Sequence, residues 1–240
     1  MKKRLDRIIV DRSLAESREK AQALIMAGKV LVDGQKASKA GQLVSPEARI
    51  EVTAGMRYVG RGGLKLEGAL QQFGIDVTGL VAADFGSSTG GFTDCLLQAG
   101  AARVHAIDVG TGQLDWRLRN DARVVVHEGV NARYIELTDL AEPVDLAVCD
   151  VSFISATLIL PAMVGVLKER GGLIVLVKPQ FEAGKGQVGK GGIVRDPALH
   201  EAACAKVRAC VEALGFKTQI MESPITGAEG NKEFLLYGRR

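Results

Sequence analysis

Residues 80–93 read LVAADFGSSTGGFT. An apolar run ends in Asp84, a turn containing Gly86, Gly90 and Gly91 follows, and a helix-forming stretch begins after it. A second apolar run, residues 103–108, ends in another acid, Asp108. Strand, glycine turn and helix in that order make the ligand-binding corner of a doubly wound α/β domain, because glycine permits the tight turn and lets a ligand approach the backbone. An acid closing the second strand suits the ribose hydroxyls of an adenosine-type ligand. The stretch predicts a nucleoside-cofactor site.

Two cofactors share this logic. A dinucleotide needs G-x-G-x-x-G around its pyrophosphate. The order here is Gly86-Ser87-Ser88-Thr89-Gly90-Gly91, with no glycine two places after Gly86. The D-x-G-x-x-x-G-G spacing suits S-adenosylmethionine, which has no pyrophosphate to cradle. Asp84, the six turn residues, Phe92 and Asp108 are the candidate cofactor contacts.

With 47% hydrophobic residues in 240, the chain has ample core and is no disordered segment. The net charge of +3 says little, but its distribution is informative. Residues 1–57 carry 12 lysines and arginines against 7 acids, leaving 19 against 21 for residues 58–240. The first 57 residues also lack Phe, Tyr and Trp. A basic, aromatic-free module can grip phosphates but cannot stack on bases, which favours structured RNA. Cys95, Cys149, Cys204 and Cys210 show no C-x-x-C spacing and the three histidines lie apart from them, so neither a zinc site nor a disulfide framework is expected. Four small buried thiols in a reducing cytosol are the expectation. The opening MKKRLDRIIVDR has too many charges for a signal peptide, and the longest largely apolar run, 156–167, is too short to span a bilayer. A soluble cytoplasmic protein is expected.

Periodicity predicts a helix over 4–14 and a second through residue 27, capped by Ser17 and stopped by Gly28. Residues 30–32 and 35–37 flank Asp33-Gly34 as a hairpin. Arg18, Lys20, Lys29 and Lys39 could share one face. R-L-D, S-R-E-K-A, I-x-x-G-K-V-x-V-D-G and K-x-G together resemble the RNA-binding module of ribosomal protein S-four, which implies binding to helical RNA through backbone and shape. Domain boundaries follow: the module at 1–50, a linker at 51–62 and a second domain at 63–240. From the second domain, strands near 81–84, 103–108, 123–127, 145–149 and 173–177 alternate with helices near 64–73, 91–100, 111–119, 157–169 and 197–214. That alternation predicts a mostly parallel sheet covered on both faces. Residues 216–222 and 233–237 are too close for another crossover and read as a pair adding an antiparallel edge strand.

Ligands of open α/β sheets sit outside the carboxyl ends of the strands. Asn131, past the third strand, could meet an adenine edge. Asp150 follows the fourth strand and Lys178 the fifth; Glu233 opens the last, and Lys65 lies on the helix before the first. The apolar run LIVLV puts Lys178 at the mouth of a buried strand, where an unpaired ammonium is costly. Asp150 and Glu233 are expected to compensate it.

Lys65, Asp150, Lys178 and Glu233 match the K-D-K-E tetrad of FtsJ-like ribose 2′-O-methyltransferases. RYVGRGGLKL, DFGSSTGGFTDCLLQ, VHAIDVGTGQLDWRLRND, VNARY, CDVSFIS, VKPQFEAGK and EGNKEFLL, together with the amino-terminal module, resemble the TlyA (haemolysin-A-like) family of ribosomal RNA methyltransferases. The resemblance covers nearly the whole chain. It implies an α/β Rossmann-like methyltransferase domain behind a small α+β RNA-binding domain, and 2′-O-methylation of cytidine in ribosomal RNA of assembled subunits, with S-adenosylmethionine and no metal. It makes the tetrad catalytic, with Asp150 also at the cofactor. Arg4, Arg7, Arg18, Lys20, Lys29, Lys39, Arg61, Lys185 and Lys190 are the candidate RNA contacts.

Other readings have weaker support. Residues 184–191 nearly spell a phosphate loop, but Gly191 stands where the magnesium-binding hydroxyl belongs. A basic loop folding over RNA fits better. Trp116 reads as a core residue of an amphipathic helix. A base methyltransferase would need an Asn/Asp-Pro-Pro-aromatic turn or a placed cysteine nucleophile. An assembly factor without catalysis would need neither cofactor turn nor tetrad, and a cytolysin, suggested by the family's older name, would need a lytic segment.

Overall fold

Helix α1 forms because Leu5, Ile8 and Ile9 recur at helical spacing and all reach the core. In the computed structural model, which describes residues 2–52, 57–184, 186, 188–189, 191–227 and 229–240, the chain divides into two compact units, Met1–Arg57 and Tyr58–Arg240. The first holds β1 (Lys3–Arg4), α1 (Leu5–Asp11), α2 (Arg18–Met26), β2 (Val30–Val32), β3 (Gln35–Lys36), β4 (Leu43–Val44) and β5 (Ile50–Val52). The expected first helix is trimmed at both ends. Arg4 pairs with Leu43 in a two-stranded sheet, and Ser13 adopts a left-handed φ of 56° that ends the helix. Ser17 caps α2 as expected, accepting from the Lys20 amide. The hairpin turns through Asp33 and Gly34, both at positive φ, the geometry that matches strand twist. The region expected as linker is divided: Glu51 and Val52 belong to β5, Tyr58 is buried in the second unit, and 53–56 lie outside the described residues.

Asp6 is the polar centre of this unit. Fully buried, it accepts from Arg4 Nε (3.1 Å) and Nη2 (2.9 Å), Arg18 Nε (2.9 Å) and Gln22 Nε2 (2.9 Å). The Arg4 guanidinium first, then Gln22 and Arg18, hold its carboxyl well below the usual carboxylate range against the opposing effect of burial.

The second unit runs α3 (Gly62–Phe73), β6 (Val81–Phe85), α4 (Gly91–Gln98), β7 (Arg103–Asp108), α5 (Trp116–Arg119), β8 (Val124–Glu128), α6 (Leu137–Leu140), β9 (Val144–Cys149), α7 (Leu160–Val166), β10 (Leu167–Val177), α8 (Pro179–Glu182), α9 (Pro197–Ala213), β11 (Lys217–Glu222) and β12 (Phe234–Arg239). One seven-stranded sheet has the order β11-β12-β10-β9-β6-β7-β8. Residues along β10 alternate between two cores, Leu173, Val175 and Val177 into one and Ile174 and Leu176 into the other, as a strand covered on both faces requires.

Two expectations are corrected. The antiparallel strand is interior: β12 runs between β10 and β11, so the edge strand β11 is parallel to the rest. The helix expected over 111–119 is a single turn, with Gly112 at a φ of 69° ahead of it. The strand order places Asp108, Asp150 and Lys178 at one edge of the sheet. Because β12 is antiparallel and pairs Phe234 with Val177, its first residues reach the same edge and bring Glu233 there.

Asp6→Ala is expected to destabilise the small unit by about 2 kcal/mol, since it strips a charged, multiply bonded acceptor from the core. Hydrogen exchange of α2 amides in the full chain checks it. The sign in pH follows from the lowered carboxyl: the stabilisation is complete above about pH 4 and is lost as pH falls toward the folded value, so wild type and variant converge in acid.

Candidate active site

The turn after β6 is shaped by contacts a side chain would break. Gly86 takes a φ of 84°, and a Cβ there would lie 2.9 Å from the Asp150 carbonyl oxygen. Gly90, at 97°, abuts Leu118, where a Cβ would come within 2.2 Å. Asp84 anchors the turn from below: its Oδ2 accepts from the Thr93 amide (2.9 Å) and Oγ1 (2.7 Å), tying β6 to the first turn of α4. Among the described residues its buried Oδ1 has no hydrogen-bond partner, and burial, with Asp150 and Asp108 adding, pushes its carboxyl up to about 7. Asp84 and Gly90 line neither recess described next. They set the shape of the turn that does.

A recess of about 480 Å³ opens beside the turn, lined by Gly86, Ser88, Asp108, Gln113, Asn131 and Asp150 among others. Asp108 is held at its rim by the amides of Ser88 (2.8 Å) and Gly110 (2.7 Å). Asn131 caps the following helical turn through its Oδ1, accepting from the Arg133 amide. A smaller recess, about 180 Å³, shares Gly86, Ser88 and Asp150 and adds Ser87, Thr89, Gly91, Phe92 and Lys178. Its far wall is Gly60, Arg61 and Gly62, close enough to the turn that a Cβ on Gly60 would sit 2.9 Å from Thr89 Oγ1. This stretch is fixed by the Val59 amide donating to Asp94 (2.8 Å), a contact that spacing along the chain does not announce. A large recess with a hydroxyl-matching acid joined to a small glycine-walled one fits a nucleoside carrying an amino-acid tail. Asp108 and Asn131 would hold the nucleoside end, and the 86–91 turn and Asp150 the tail.

Lys178 lines the small recess and also a third cavity of about 400 Å³. Its Nζ lies 2.7 Å from Asp150 Oδ1 and donates to Ser152 Oγ at 2.8 Å. The contact is an ion pair, and among the described residues the buried Asp150 Oδ1 has no hydrogen-bond partner. Lys65, buried on α3, lines the same cavity and pairs with Glu233 Oε2 at 2.5 Å. The structure thus brings all four tetrad residues to one edge in two separate pairs. Glu233 compensates Lys65, whereas the sequence reading had it compensating Lys178; the difference arises because α3 packs against β12. Ser152, which sequence reasoning missed, supplies the second partner of Lys178.

Phe153 was also missed. It is 92% exposed, adopts a φ of 65° that is unfavourable for a bulky residue, and lines both the 480 Å³ and 400 Å³ spaces. Its ring centre lies 5.3 Å from that of Phe181. The loop is held by Glu182, whose buried carboxylate accepts from the Ala156 amide (2.7 Å), Ser155 Oγ (2.5 Å) and Lys206 Nζ (2.8 Å). The segment bearing Asp150 and Phe153 is therefore pinned to the one bearing Lys178.

The basic candidates scatter. Arg18 and Lys20 are two residues apart on a helix and point about 200° apart, so the expected single face is not formed. Arg18 turns with Arg4 to Asp6, while Lys20 and Lys29 border an open recess of about 750 Å³ that holds none of the tetrad or candidate cofactor residues. Arg7 and Lys39 are exposed. Arg61, in the second unit, donates to the Thr226 carbonyl at 2.9 Å. Lys185 and Lys190 lie outside the described residues. Trp116 is a correction: it is 72% exposed, and Leu114 and Leu118 take the inward positions instead. Cys95 and Cys149 are buried, Cys204 and Cys210 half-buried, and among the described residues none of the four is in a disulfide.

The profile of the FtsJ-like methyltransferases matches residues 58–240, and that of the S4 domain residues 3–50. The chain is 47% identical over 239 residues to the 16S/23S rRNA (cytidine-2′-O)-methyltransferase TlyA of Mycobacterium tuberculosis, covering 98% of this chain and 89% of that one. A solved structure named for hemolysin, from Streptococcus thermophilus, is 43% identical with a TM-score of 0.76 and covers 100% of this chain and 88% of its own. Magnesium protoporphyrin IX methyltransferase from Synechocystis, solved with S-adenosylhomocysteine bound, shares the fold at 15% identity and a TM-score of 0.52, covering 75% of this chain and 82% of that one.

The raised carboxyl of Asp84 gives a signed expectation. An acid held above its unfolded value costs stability as pH rises from about 4, and the cost is complete above about 7. Asp84→Asn keeps an acceptor for Thr93 and removes that cost. Its melting temperature relative to wild type should therefore climb between pH 5 and 8, measured by calorimetry. A constant difference across that range would contradict the assignment.

Proposed function

The chain belongs to the FtsJ-like methyltransferase family and carries an S4 domain before the catalytic unit, and from that premise we propose that it methylates the ribose 2′-hydroxyl of cytidine in ribosomal RNA, in the cytoplasm, on assembled subunits. The observation that carries the reading is Lys178, which lines the glycine-walled recess and the 400 Å³ cavity together and is oriented by Asp150 and Ser152. One side suits a methyl donor and the other an acceptor.

S-adenosylmethionine, when bound, supplies a methyl group already activated by its sulfonium. The protein's task is the hydroxyl, a weak nucleophile at neutral pH. Asp150 at 2.7 Å and Ser152 at 2.8 Å fix the Lys178 amine where it can hold the attacking oxygen and steady negative charge as the hydroxyl proton passes to solvent. The Lys65–Glu233 pair closes the cavity's other side and orders it without adding net charge. Holding oxygen and methyl in line contributes by itself, since positioning replaces a bimolecular encounter. Metal chemistry has no assigned part in this scheme. The small unit, basic and without aromatics, supports a sequence-independent grip on helical RNA.

A base C5-methyltransferase on this fold would use a cysteine thiolate. Burial pushes the Cys149 thiol up to about 12, the opposite of an activated nucleophile. Among the described residues no helix is long and apolar enough to cross a membrane, and no observation favours the cytolysin reading.

Purified protein given unmodified ribosomal subunits and methyl-labelled S-adenosylmethionine should yield 2′-O-methylcytidine, lost when the target is 2′-deoxycytidine. Lys178→Ala should lower the single-turnover rate by roughly 10²–10⁴ while cofactor binding persists. Tight RNA and cofactor binding with no label would support an assembly factor instead. Phe153→Ala, which removes an exposed ring from the acceptor side, should raise KM for RNA more than it lowers kcat.

A further inference from the structure

Lys178 Nζ donates to Ser152 Oγ at 2.8 Å. An oxygen that accepts along that line turns its own hydrogen elsewhere. Among the described residues nothing accepts the Ser152 hydrogen. A second hydroxyl in the same loop shows the contrast: Ser155 spends its hydrogen on Glu182 Oε2 at 2.5 Å. Ser152 is also exposed, and among the described residues it alone lines all three recesses, the 480 Å³, the 180 Å³ and the 400 Å³. Lys65, the other amine of the 400 Å³ cavity, faces Glu233 at 2.5 Å. The site therefore presents one hydroxyl with a hydrogen to give, beside Lys178, where the methyl-donor and acceptor spaces meet.

Resting on the reading of this site as a ribose methyltransferase, we propose that Ser152 is a further catalytic residue, whose hydroxyl donates to the 2′-oxygen of the target nucleotide beside Lys178. As that oxygen bonds the methyl carbon and the carbon–sulfur pair stays on sulfur, the hydroxyl proton passes to solvent and Ser152 shares in steadying the charge that develops. Two donors 2.8 Å apart can reach one oxygen together. The bond from Lys178 polarises the serine hydroxyl and strengthens it as a donor. Its place is set before the substrate arrives, because Glu182 holds the loop through the Ala156 amide and Ser155. A donor fixed in advance costs no reorganisation when charge appears.

The test is single-turnover methylation by the full chain at saturating S-adenosylmethionine and ribosomal subunits. Ser152→Ala should slow the saturated rate by roughly 10²-fold while the dissociation constants of cofactor and RNA change little. Ser152→Thr, which keeps the hydroxyl, should recover most of that loss. A subunit carrying 2′-thiocytidine at the mapped position separates donation from support. Sulfur accepts hydrogen bonds weakly and its thiolate forms readily, so Ser152→Ala should slow that reaction by about threefold at most. Added to Lys178→Ala, the serine substitution should slow the oxygen reaction further. Equal slowing on oxygen and sulfur would make Ser152 a structural support and overturn the assignment. Silence in the Lys178→Ala background overturns it as well, by placing the whole effect in the lysine. Weaker cofactor binding with an unchanged saturated rate puts the hydroxyl on the cofactor and has the same consequence. An unimpaired Ser152→Ala enzyme sinks this inference alone, whereas failure of wild type to methylate any RNA refutes the parent reading with it.

Discussion

Two ammonium groups at the end of a buried sheet dictate most of what surrounds them. Lys65 and Lys178 are each about nine-tenths buried, a position neither could hold without a carboxylate. The fold supplies two acids by different routes. Asp150 comes from the parallel strand β9 by simple adjacency to β10. Glu233 needs the reversed strand β12, since a parallel strand in that place would carry its first residues to the opposite edge. The antiparallel insertion thus has a local chemical consequence, and Asn231, two residues before Glu233, ties that approach to a neighbouring segment through its side-chain amide, which accepts from the Val194 amide and donates to the Gly192 carbonyl.

The glycine turn after β6 obeys a constraint of a different kind, namely space. Gly60, Gly86, Gly90 and Gly91 lie where a methyl group would strike backbone or a packed side chain. The turn is held from the core by an acid that is itself under electrostatic cost. Asp84 gives two hydrogen-bond positions to Thr93 and leaves one oxygen unanswered, so its rigidity comes at the expense of stability at neutral pH. That exchange of stability for a fixed binding corner is common where backbone must be presented to a ligand.

The sequence was most legible where a residue's place follows from strand ends. Asp108, Asp150 and Lys178 were found because apolar runs have visible termini and open α/β sheets gather those termini at one edge. Pairing was less legible. Whether Glu233 meets Lys178 or Lys65 depends on how α3 packs on β12, which no spacing encodes. Trp116 was misread because two leucines on either side of it satisfy the same periodicity with better packing against Gly90. Phe153 left no signal, since its positive φ and exposure arise from a loop fixed by Glu182 twenty-nine residues away along the chain.

The distribution of aromatic residues divides recognition into two kinds. The small unit has none, and two of its arginines are turned toward Asp6, so its surface can sense charge and helical shape but has little with which to distinguish one base from another. Among the described residues, exposed rings occur instead in the second unit, at Trp116, Tyr134 and Phe153, and Phe153 borders the 400 Å³ cavity that Lys65, Lys178 and Glu233 line. A phosphate grip alone would place the enzyme on many helices equally well. Any discrimination between bases then falls to the second unit, which has exposed rings and buried charge pairs, and not to the basic surface.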